Sequence, residues 1–71
     1  MTIKLECFGG EEISDAFMKA LDLANRIEFD VEFEFNGVTC FVKPGGSVTK
    51  GIREYDEAIS GNKSHRFASA N

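Results

Sequence analysis

The chain has 71 residues, seven of them Phe, with 28% charged residues and a formal net charge of −4. A chain this short allows one domain and one small core. At this size folding buries only about 60% of the surface the unfolded chain exposes, so such domains gain stability by pairing with a copy or a partner. The acidic balance, with a sequence pI near 4.8, disfavours direct binding to DNA, RNA or an anionic membrane, which normally needs a basic face, and favours a basic protein partner or plain solubility.

Residues 2–8, TIKLECF, alternate, with Ile3, Leu5 and Cys7 on one face and Lys4 and Glu6 on the other, as in a half-buried strand. Gly9-Gly10 breaks the alternation. Residues 11–25 change period: Ile13, Ala16, Phe17, Ala20, Leu21 and Ala24 follow helical spacing and form one apolar stripe. Glu11 and Glu12 suit the first turn of that helix, where free N–H groups favour anions, and Asn25 suits its end.

Residues 27–43 predict a hairpin. Asn36-Gly37 between two alternating runs favours a type I′ turn, which needs positive φ at both central positions. A two-residue loop fixes the register, so Phe35 faces Val38, Phe33 faces Cys40 and Val31 faces Val42, every pair apolar. The other face pairs Glu34 with Thr39, Glu32 with Phe41 and Asp30 with Lys43. After the PGGS turn at 44–47, Val48, Ile52, Tyr55 and Ile59 recur at helical spacing over 48–59, with Ser47 or Thr49 as cap and Gly61 as stop. Gly51 costs that helix about 1 kcal/mol relative to Ala. Residues 61–71 lack periodicity and read as a flexible tail behind a single domain over 1–60. The whole predicts an α+β domain in β-α-β-β-α order: a three-stranded, mostly antiparallel sheet with helices packed on one face. Which face helix 48–59 covers is open at this level.

Candidate sites follow from the open face. Glu28, Asp30, Glu32 and Glu34 form an acidic row about 7 Å apart along one strand face. That spacing spreads the carboxylates too far to converge on a calcium ion, and a flat face offers no cleft for an acid–base pair. Mimicry of nucleic acid is a sharper reading, though one duplex strand carries a charge about every 3.4 Å, twice as densely. Phe41 stands among these carboxylates. It reads as a lone exposed aromatic, as the apolar anchor of an interface for a basic partner, or as a second core under helix 48–59. Asp30, Glu32, Glu34 and Phe41 are therefore the candidate partner-binding residues.

No catalytic, cofactor-binding or metal-binding set emerges. His65 stands beside Lys63 and Arg66 without metal-ligand spacing, and Gly9-Gly10 and Gly45-Gly46 lack a phosphate-loop pattern. Cys7 and Cys40 are too few for the disulfide framework of a small secreted domain. The opening MTIKLECFGG has no secretory pattern, and no apolar run approaches the roughly 20 residues of a membrane span. The expectation is a cytoplasmic protein with reduced thiols and no cofactor.

In size, acidity and lack of a catalytic set, the chain resembles small accessory proteins encoded by phages and prophages, several of which inhibit a host or defence protein. The resemblance is one of general style and assigns no residue a role. The sequence therefore predicts a non-enzymatic, acidic protein-binding module, such as a phage-type inhibitor. The alternatives are a homodimeric structural or assembly protein and a nucleic-acid mimic.

Overall fold

The structure is a computed structural model and describes residues 2–6, 12–61 and 67–71. The elements in chain order are β1 (Thr2–Leu5), α1 (Ile13–Ile27), β2 (Asp30–Phe35), β3 (Val38–Val42), α2 (Val48–Ile59) and β4 (Phe67–Ser69). Expectations on Cys7, Gly9-Gly10, Glu11, Lys63, His65 and Arg66 lie outside the described residues.

The hairpin follows its turn chemistry. Asn36 and Gly37 have φ of 50° and 79°, the left-handed pair a type I′ turn requires. The antiparallel register is the predicted one, from Phe35 opposite Val38 to Val31 opposite Val42. The ladder closes there, one step short of the predicted Asp30–Lys43 pair. Asn36 also donates from Nδ2 to the Tyr55 hydroxyl at 2.9 Å, which ties the turn to α2. Tyr55→Phe should lower stability by about 1 kcal/mol, the usual net worth of such a bond, and urea unfolding checks it.

The sheet has four strands in the order β1-β2-β3-β4, not three. It is mixed rather than mostly antiparallel: β1 runs parallel to β2, and β3 runs parallel to β4. The cause is connectivity. Each parallel pair is joined by a helix, because adjacent parallel strands need a crossover, and only β2 and β3 share a tight turn. The chain is thus two strand–helix–strand halves joined by the Asn36-Gly37 hairpin.

The fourth strand comes from the region read as tail. Ala68 lies opposite Cys40 and Ser69 opposite Phe41, and the Ala70 N–H donates to the Phe41 carbonyl at 2.9 Å. The end of the chain is fastened further: the Ser47 N–H donates to the Ala70 carbonyl at 2.6 Å, and the Lys43 N–H to Asn71 Oδ1 at 2.9 Å. Lys50 Nζ also donates to the Asn71 carbonyl.

Both helices pack on the face carrying Val31, Phe33, Val38, Cys40, Val42 and Ala68, all buried. Phe17 of α1 meets Phe33 edge-on, with ring centroids 5.1 Å apart at 76°. Tyr55 of α2 meets Phe35 in the same way at 5.6 Å and 78°. Helix α1 runs two residues beyond the predicted end and closes on Glu28 at φ 60°, whose N–H donates to the Ala24 carbonyl at 2.8 Å. Asn25 does not end the helix; its Oδ1 instead accepts from the Gly45 N–H at 2.8 Å. Glu28 holds a conformation that glycine adopts without strain, so Glu28→Gly should stabilise the fold by a few tenths to about 1 kcal/mol in thermal melts. Helix α2 matches its predicted bounds, and Ser47 caps it by accepting from the Lys50 N–H at 3.2 Å.

Candidate functional site

With both helices on one side, the opposite sheet face carries no described element. Alternation and register then place every side chain. The central row across the four strands reads Lys4, Glu32, Phe41, Ser69. The next row reads Glu34, Thr39, Phe67, and on the far side Asp30 stands opposite Thr2.

The four candidate residues Asp30, Glu32, Glu34 and Phe41 all lie on this face. Asp30 and Glu34 are exposed, while Glu32 and Phe41 are half-buried. Glu28 leaves the acidic row, because it caps α1 and does not enter β2. The reading of Phe41 as a second core under α2 is corrected as well, since α2 packs against β3 and β4 from the side of Tyr55 and Ala58.

Phe41 is not alone on its face. Its ring lies 6.0 Å from that of Phe67, tilted at 44°, and Phe67 is 48% exposed. The two rings form an apolar ridge over β3 and β4, flanked by Glu32 and Glu34 on β2. Sequence reasoning misses Phe67 because the inward residue of β4 is the small Ala68 and its large aromatic points outward. That inverts the usual sign of an amphipathic strand. It misses Lys4 for a simpler reason: the place of Lys4 beside Glu32 depends on the β1–β2 register, which no turn motif fixes. Lys4 dilutes the acidic row by one charge.

The arrangement supplies aromatic surface and carboxylates side by side on a rigid sheet, a combination that suits an arginine or lysine side chain. Among the described residues, no three His, Cys, Asp or Glu side chains gather where they could hold a metal ion. Cys40, fully buried, belongs to the core. No described helix is long and apolar enough to cross a membrane. In comparisons with protein-family models, curated proteins and solved structures, the chain finds no match.

Proposed function

We propose that this protein is a non-enzymatic binding module that docks a basic protein segment on its open sheet face. Phe41 and Phe67 serve as the apolar anchor, and Glu32, Glu34 and Asp30 as the charged rim. The observation that carries the reading is the Phe41–Phe67 pair, held beside two carboxylates on the one sheet face the helices leave bare. An aromatic anchor ringed by polar groups is the usual layout of an interface hot spot. Capture of a basic surface in this way would suit an inhibitor of a host or defence protein, the role its size and acidity suggest. Nucleic-acid mimicry has less support here, because Glu28 leaves the row and Lys4 enters it.

The test is capture with tagged protein from lysate of the source cells at low and high salt, wild type beside Glu32→Lys/Glu34→Lys. The reading expects a basic protein that is lost on charge reversal and weakened by salt. A partner retained by the reversed variant at both salt levels contradicts it.

A further inference from the structure

We infer that the segment docked on the open face is recognised through arginine and not through lysine, one guanidinium lying on the Phe41 ring while the Glu32 carboxylate holds its rim. The inference rests on the docking reading above and names the side chain that reading leaves open.

The strand pairing brings the two groups together. In a two-residue hairpin closed by Phe35 and Val38, hydrogen-bonded pairs alternate with non-hydrogen-bonded ones along the ladder. Counting from the turn makes Glu32–Phe41 a non-hydrogen-bonded pair, the kind in which side chains stand closest. The backbone agrees, since the Phe41 carbonyl is turned toward β4 and accepts from the Ala70 N–H at 2.9 Å. Directly opposed Cβ atoms in such a pair are about 4.5 Å apart. A cation within about 6 Å of the ring centre, the reach of a cation–π contact, is therefore also within reach of the carboxylate.

The surroundings leave the carboxylate available. Phe67 flanks Phe41 on the β4 side, so the ring has an aromatic neighbour on one side and Glu32 on the other. Glu32 is half-buried and has no hydrogen-bond or ion-pair partner among the described residues. A partly buried charge pair is screened less by salt than an exposed one. Lys4 stands across from Glu32 in the β1–β2 register, on the same face, and still makes no ion pair with it.

One cation must thus lie on an aromatic ring and donate to a carboxylate at the edge of that ring. A guanidinium does both at once: it is planar and weakly hydrated, stacks through its face and donates through its rim. The lysine ammonium is a compact, strongly hydrated point charge, so contact with the ring strips water that a single carboxylate replaces only in part. The open face therefore separates two side chains of equal charge.

The test is an NMR titration of the full chain with two capped peptides of equal length and charge. Arginines alternate with glycines in one, and lysines replace the arginines in the other. Both are titrated into wild type, Phe41→Leu and Glu32→Gln, with circular dichroism melts to establish that each variant is folded. The arginine peptide is expected to shift the Glu32 and Phe41 amides and to bind at least about tenfold more tightly than the lysine peptide. Phe41→Leu keeps the apolar surface and removes the π face, and it should bring the two affinities to within about threefold. Glu32→Gln should narrow the ratio as well, and it alone carries the comparison if Phe41→Leu does not fold. Equal binding of both peptides on this face would overturn the choice of arginine and leave the docking reading standing. A preference that survives in every folded variant would overturn the roles of Phe41 and Glu32. If neither peptide shifts this face, the docking reading fails and the inference falls with it.

Discussion

Phe17→Ala is expected to lower stability by about 3–5 kcal/mol, the usual loss for a buried phenylalanine. A domain of this length has only about 4–10 kcal/mol in all, so the variant should be marginal or unfolded at room temperature. Phe17 is fully buried and is the largest such side chain on α1. It touches both halves of the chain, meeting Phe33 of β2 edge-on and lying against Gly51 of α2. Deleting the ring opens a cavity where α1, α2 and the sheet meet, and the alanines beside it, Ala16, Ala20 and Ala24, cannot fill it. Urea unfolding followed by far-ultraviolet circular dichroism measures the effect. A loss below about 1.5 kcal/mol would mean that the helix layer collapses onto the sheet far more easily than this packing implies.

The second large effect concerns Gly51. A Cβ built there would lie 2.6 Å from Phe17 Cε1 and 2.8 Å from Cζ, closer than real side chains approach. Phe17 cannot yield, because its own ring is held against Phe33. Helix propensity alone favours alanine over glycine by about 1 kcal/mol. Overpacking a filled core costs about 1–3 kcal/mol. Gly51→Ala should therefore be net destabilising, opposite in sign to propensity, and Gly51→Leu should cost at least about 3 kcal/mol. The cause can be isolated by pairing Gly51→Ala with Phe17→Leu. A smaller, flexible side chain at 17 should recover part of the loss, and strict additivity would show that the two residues do not clash. The glycine that looks like a weakness in the helix is thus the condition for close approach of α1 and α2.

How much of this is legible in the sequence depends on the range of the signal. The β2–β3 hairpin is readable down to the register, because Asn36-Gly37 dictates both turn and pairing within a few residues. The stripe from Ile13 to Ala24 marks α1 but not its end, since the left-handed cap falls on Glu28 and not on a glycine. The partner of β1 has no local signal; only the crossover logic of a strand–helix–strand unit implies that it lies parallel to β2. Strand β4 is invisible because three residues are too few to show a period and because Ala68 and Ala70 bury little apolar surface. Its backbone pairing to Phe41 and Ser47 leaves no mark in the side chains. The candidate site follows the same division. Asp30, Glu32, Glu34 and Phe41 share a face that the hairpin register alone defines, whereas Phe67 and Lys4 need the long-range pairings.

The measurement that tests the binding face most directly is an amide-shift titration by NMR with a short arginine-rich peptide, run beside its glutamate-substituted counterpart. Docking on the open face predicts that the arginine peptide shifts the amides of Glu32, Glu34, Thr39, Phe41, Phe67 and Ser69. It also predicts that the glutamate peptide shifts none of them and that Phe41→Ala abolishes the response. Shifts centred on α1 or α2, no difference between the two peptides, or an unchanged response in Phe41→Ala would contradict it.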